Sequence, residues 1–191
     1  MTTSFLSRTV FRVLILCAGA LTAFGAPASA AVADIPAQQV ALLDSLGIHV
    51  AVATYIPPGY TFQDVKATPC ARGAKRASGG ACSMGPDYIV RYHKGDSWFA
   101  VEGTGGGLGG TSLTYKTFVK TKLFGTVPLR FGPGPDGIGL TPTAAQMRSP
   151  QNELYTDWLG AGPFYHVIGE HVAPDVMVRV VSSVEWLSNN S

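Results

Sequence analysis

Residues 88–102 read YIVRYHKGDSWFAVE, and their pattern decides the fold. Two segments rich in β-branched and aromatic side chains, 88–93 and 97–102, flank Lys94-Gly95-Asp96. The glycine suits a tight turn, so the stretch predicts a β-hairpin with one buried face on each arm.

Towards the N-terminus, residues 60–67 (YTFQDVKA) alternate sides as a strand does. Residues 49–56 (HVAVATYI) are a further extended run, stopped by Pro57-Pro58-Gly59. Residues 31–47 predict a short helix: Asp34 can cap it, Pro36 suits its first turn, Val40, Leu43 and Leu46 recur at helical spacing, and Gly47 ends it. Towards the C-terminus come a glycine run at 103–110, a second strand pair at 113–124 and 126–131 about Gly125, and a Pro/Gly loop at 132–139. A polar stretch from 141 to 153 then leads to a third hairpin, 154–159 (LYTDWL) with 164–168 (FYHVI) about the turn Gly160-Ala161-Gly162-Pro163. The tail 174–187 opens with Pro174-Asp175, a helix start, and spaces Val176, Val180, Val184 and Leu187 along one face, although its five valines also suit a strand. The expected class is α+β: a single antiparallel sheet of about six or more strands, with a short N-terminal helix and a C-terminal helix packed on it. Nothing repeats at solenoid spacing, so residues 31–191 read as a single globular α+β domain.

Arg8 and Arg12 precede the apolar run 13–25 (VLILCAGALTAFG), which is followed by Ala26-Pro27-Ala28-Ser29-Ala30. This is the order of a secretory signal peptide over residues 1–30, with Ala28 and Ala30 at the positions that a cut before Ala31 requires. The run is short for a membrane span. Cys17 lies in its middle after bulky Leu16, where no lipobox places its cysteine, and reads as an ordinary leader residue. An exported chain, periplasmic or secreted, with no stable membrane anchor after cleavage follows as an expectation. The chain has 191 residues, 46% hydrophobic and 14% charged, which is the composition of an ordered domain rather than a solvated tail. It carries 14 Lys and Arg against 12 Asp and Glu, and loss of Arg8 and Arg12 leaves 12 of each. A neutral chain has no long-range field to attract nucleic acid or anionic lipid.

Cys70 and Cys82 are the even pair of the mature chain, and export favours a disulfide between them. The loop they enclose, ARGAKRASGGA, is small and basic and predicts a tied-off surface loop, stabilised by roughly 3 kcal/mol in the chain-entropy model. With no C-x-x-C and no nearby histidine, redox and metal roles are not expected of the pair.

No catalytic, cofactor-binding or metal-binding residue emerges from motifs, and no cofactor is expected. Residues 105–110 (GGGLGG) satisfy G-x-G-x-x-G but no amphipathic helix follows to receive a pyrophosphate. The run reads instead as a strand-end connection or bulge, or as a place where a partner's backbone approaches closely. His49, His93, His166 and His171 lack ligand spacing, and neither G-x-S-x-G nor S-x-x-K is present. Asp96, Glu102, Asp136 and Asp157 read as turn residues or solvated charges. Tyr88, Tyr92, Trp98, Phe99, Tyr155, Trp158, Phe164 and Tyr165 concentrate on the hairpins. Most should be core, and any that face outward would make a binding surface.

Tyr55-Ile56-Pro57-Pro58-Gly59-Tyr60, the strand ending at Val65, and Tyr88-Ile89-Val90-Arg91-Tyr92 resemble the "lPeGy...v.Y" opening of a bacterial extracytoplasmic domain of unknown function. Trp158, Tyr165, Gly169 and Val180-Val181-Ser182-Ser183-Val184 resemble its ending. That domain occurs in proteins related to anti-sigma factors and to lipoprotein carriers. The resemblance spans residues 48–187, implies a final helix packed on the sheet, and carries no catalytic residue. The Cys70–Cys82 loop and the segments 103–110 and 132–153 depart from the pattern. The functional expectation is an exported, non-enzymatic binding or interaction module of the bacterial cell envelope or extracellular space. Its partner would be a protein, an envelope polymer or an apolar ligand. The alternatives are a lipid or lipoprotein carrier, implied by the resemblance and requiring an apolar cavity, and a small envelope hydrolase built on a Ser, His and acid cluster.

Overall fold

A computed structural model describes residues 34–83, 85–106, 113–134 and 139–187. The expected signal peptide with Ala28, Ala30 and Ala31, the remainder of the glycine run, and Asp136 lie outside the described residues.

The fold is α+β. In chain order it comprises α1 (Ala37–Asp44), β1 (Ala51–Ala53), β2 (Thr61–Thr68), β3 (Asp87–Lys94), β4 (Ser97–Thr104), β5 (Tyr115–Thr121), β6 (Gly125–Phe131), α2 (Ala144–Arg148), β7 (Leu154–Thr156), β8 (Phe164–Glu170), α3 (Pro174–Ser182) and β9 (Val184–Trp186). Seven strands form an antiparallel sheet in the order β2-β3-β4-β8-β7-β6-β5. It joins two meanders, β2–β4 and β5–β8, along the β4–β8 seam at its centre. The β3–β4 hairpin forms as its sequence predicts: Lys94 pairs with Ser97, and Gly95 supplies the positive φ of +56° that the two-residue turn needs. The second and third hairpins also pair, as β5–β6 and β7–β8.

The expectation of one sheet is corrected. β1 and β9 form a separate two-stranded ladder, so the extended run 49–56 contributes only three paired residues, and all three are buried. The C-terminal helix is correspondingly shorter than 174–187. It ends at Ser182, and Val184 lies in β9 rather than on a helix face. The physical reason lies in Ser183, whose carbonyl accepts from the Thr54 side chain and whose hydroxyl accepts from the Tyr55 amide. Serines compete poorly as helix formers, and these bonds turn the chain into a strand that opens with Val184 and ends with Trp186. The N-terminal helix also begins later than expected: Pro36 is its N-cap with no side-chain capping bond, and Asp34 sits in a left-handed turn at φ +48°. The polar stretch 141–153 holds one helix that was not anticipated, α2, whose Thr143 and Gln146 form a capping box.

Strand alternation puts the core on one face of the large sheet. Tyr88, Val90, Tyr92, Phe99, Val101, Leu129, Phe131, Leu154, Tyr165 and Val167 are buried there with Leu43 of α1, Met177, Val180 and Val181 of α3, and the small ladder. Tyr92 stacks on Phe99 with ring centroids 5.0 Å apart. The Tyr88 hydroxyl ties the layers together, accepting from the Ala51 amide at 2.8 Å and donating to the Ala51 carbonyl at 3.0 Å. Tyr88 reaches across the sheet because its neighbour in β4 is Gly103, where any Cβ would overlap the phenol ring. Burial pushes the Tyr88 phenol well above its ordinary range and that of Tyr165 up to about 12.

Cys70 and Cys82 form the expected disulfide, with Cα atoms 6.1 Å apart. The loop they close packs more than its composition suggests. Ala81 and Cys82 are buried, the Arg76 guanidinium donates to the Leu46 carbonyl just beyond α1, and Gly80 lies against the Gly47 carbonyl so closely that no side chain fits. Small residues allow this backbone-to-backbone approach, which is why the sequence reads as unable to pack.

Candidate functional site

The face of the large sheet opposite the core is built by the alternate set of side chains. Register aligns them in cross-strand rows. One row runs Lys66, Ile89, Glu102, His166 across β2, β3, β4 and β8; the next runs Thr68, Asp87, Thr104, Phe164. A groove of about 240 Å3 lies over the β2, β3 and β4 members of these rows, walled by Trp158 and floored in part by Gly103.

The polar groups of the groove are held in place. Asp87 Oδ1 accepts from the Thr104 hydroxyl at 2.5 Å and from the Gly105 amide at 3.2 Å. Glu102 Oε1 lies 2.9 Å from His166 Nδ1; because a carboxylate only accepts, Nδ1 carries a proton. His166 is 8% exposed, a buried polar residue, and Trp158 stacks on its ring at 4.4 Å between centroids. The ring beyond it is Tyr155, at 5.6 Å. His166 Nε2 and Trp158 Nε1 are buried without a hydrogen-bond partner among the described residues. Leaving such groups unpaired costs about 1–3 kcal/mol each, a burden typical of sites rather than of plain cores.

Of the residues singled out in the sequence, His166 and Glu102 come together on adjacent strands, with Trp158 over them. His49 packs on Trp186, His93 is exposed near the hairpin turn, and His171 donates from Nδ1 to the Asp96 carbonyl at 3.1 Å. No group of three or more metal-ligating side chains occurs among the described residues. Asp157 is not solvated alone: it holds Arg130 by two bonds of 2.6 and 3.1 Å, which raises the Arg130 pKa. The pair is partly exposed, so Asp157→Asn is expected to cost only about 1 kcal/mol, with the loss shrinking in high salt in urea unfolding curves. Sequence reasoning passed over Lys66, Thr68, Asp87, Ile89 and Thr104. The strand alternation of 60–67 and 88–93 carries part of the signal, since it sets which side chains share a face.

The glycine run takes a third role beside the two expected of it. Gly105 approaches the chain's own backbone, where a Cβ would overlap the carbonyl oxygens of Gly85 and Cys82. It thereby sets the Gly105 amide on Asp87 at the end of the groove.

Chemically, a proton-bearing imidazole on a carboxylate resembles half of an acid–base or nucleophile-activating constellation. Among the described residues no hydroxyl or thiol meets Nε2. Between the sheet and the α3 layer, the space lined by Val101, Tyr165, Val167, Val181 and Val184 amounts to about 10 Å3, room for at most one water. No helix among the described residues is long and apolar enough to cross a membrane. No family model, no curated protein and no solved structure matches the chain.

Proposed function

We propose that the protein is an exported, non-enzymatic binding module that takes its ligand in the groove over β2, β3 and β4. The observation that carries this reading is the groove itself: a concave site of about 240 Å3 with an aromatic wall, two carboxylates and a lysine, on the sheet face away from the core. Concave sites with a few convergent polar groups on an apolar base are the usual form of small-ligand sites. Export is supported by the leader pattern of residues 1–30 and by a disulfide suited to an oxidising compartment. Against the alternatives, the space between the sheet and α3 is too small for an acyl chain, and among the described residues no hydroxyl or thiol meets His166 Nε2.

A photo-reactive amino acid at position 66, on the exposed rim of the groove, should form adducts when the protein is incubated with bacterial envelope material. The same group at Leu42, which is 40% exposed on α1, should not. Equal labelling from both positions, or none from position 66, overturns the groove as the binding site. The protein recovered from outside the cytoplasm should have the mass of a chain that begins at Ala31; recovery only from the cytoplasm, with Met1 intact, would remove the export reading.

A further inference from the structure

We infer that the groove binds one ring of a neutral saccharide. This rests on the groove being the ligand site and adds the class of ligand it takes.

The volume of about 240 Å3 lies below the range of drug-sized pockets, about 300–1,000 Å3, and suits a single ring left open to solvent on one side. Its wall is the Trp158 indole, one face of which is covered by His166. His166 is in turn tethered to Glu102, so the indole stands on a fixed base and need not be ordered at binding. The negative face of an indole attracts the weakly positive C–H groups that a sugar ring presents on its apolar side. Ile89 extends that apolar footing between the polar groups.

The polar groups complement a polyol. Asp87 and Glu102 each have one oxygen engaged within the protein, by Thr104 and Gly105 and by His166, and among the described residues each keeps a second oxygen that only accepts. Lys66 and Thr68 bring donors to the same groove. A ligand that serves both sets must donate and accept around one compact ring, as vicinal hydroxyls and a ring oxygen do. An anion such as phosphate would face the two carboxylates, and a quaternary ammonium would face Lys66 and leave the donors unused. A neutral sugar meets neither repulsion.

The test titrates the protein with cellotriose, N,N′,N″-triacetylchitotriose, maltotriose and mannotriose separately, and with choline and inorganic phosphate, following backbone amide resonances by NMR. At least one trisaccharide should give saturable shifts centred on Ile89, Gly103, Thr104 and Trp158. Trp158→Ala should weaken that binding at least tenfold. Lys66→Ala, at an exposed position on β2, should weaken it about threefold. Saturable shifts at the same residues from choline or phosphate but from no sugar overturn the saccharide while leaving the groove as the site. Shifts by a sugar centred elsewhere, or unaltered by Lys66→Ala and Trp158→Ala, overturn it as well. Silence from every probe also overturns it, and the groove reading falls with it only if labelling from position 66 is absent too.

Discussion

Replacing Tyr88 by Phe should lower the free energy of unfolding by about 4 kcal/mol and the melting temperature by roughly 10 °C, although only one oxygen is removed. The reason is where that oxygen sits. It pairs both the amide and the carbonyl of Ala51, and Ala51 itself is 0% exposed. Once the phenol oxygen is gone, two buried backbone groups lose their partner, at about 1–3 kcal/mol each. The loss should fall on the join between the large sheet and the β1–β9 ladder, so amide exchange should quicken first in β1 and β9. A change below about 1 kcal/mol would mean that the hydroxyl contributes little more than an ordinary exposed bond. The effect is pH-dependent in a defined sense. Burial raises the folded-state pKa of Tyr88, so its contribution is complete below the unfolded value near pH 10 and is lost as pH rises through the higher folded value. Urea midpoints of wild type and variant should therefore be far apart at neutral pH and should converge above about pH 10.

Gly105→Ala should destabilise by about 3 kcal/mol, whereas Gly106→Ala, one residue along, should stay within about 0.5 kcal/mol. Neither glycine needs a positive φ, so the contrast is steric. A methyl on Gly105 meets the carbonyl oxygens of Gly85 and Cys82, which are backbone and cannot rotate away; a methyl on Gly106 meets nothing within 4 Å. The Gly105 amide also holds Asp87, so the same substitution should slacken one end of the groove and weaken ligand binding beyond the global loss of stability. Chemical denaturation of both variants, together with the sugar titration, checks both statements. Equal effects at the two positions would show that the glycines serve only as a connection.

How far the fold could be read from the chain depended on the range of the interactions that build it. The β3–β4 hairpin was legible because its turn residue and both arms lie within one short window. So was the disulfide, since residues 31–191 hold two cysteines, which have one way to pair. The small ladder was not legible. β1 and β9 are each three residues long and lie 130 residues apart, and no local pattern distinguishes a strand that joins the main sheet from one that pairs behind it. The site was legible by half. His166 and Glu102 were visible as candidates, yet their spacing of 64 residues says nothing of a cross-strand pair. Trp158 was visible as one of the hairpin aromatics expected to be mostly core; it stands instead at the wall of the groove, stacked on the imidazole of His166.

By itself the sequence determined the α+β class, the hairpins, the cross-linked loop and which side chains alternate on each strand. These follow from turn chemistry and periodicity, which act between neighbours in the chain. Only the tertiary structure decided that β8 enters between β4 and β7, that Ser183 diverts the last helix into a second ladder, and that Lys66, Asp87, Glu102 and His166 share one outer surface. Strand order and register are chosen by burial summed over the whole chain. A side chain's face follows from its own strand; its neighbours across the sheet do not.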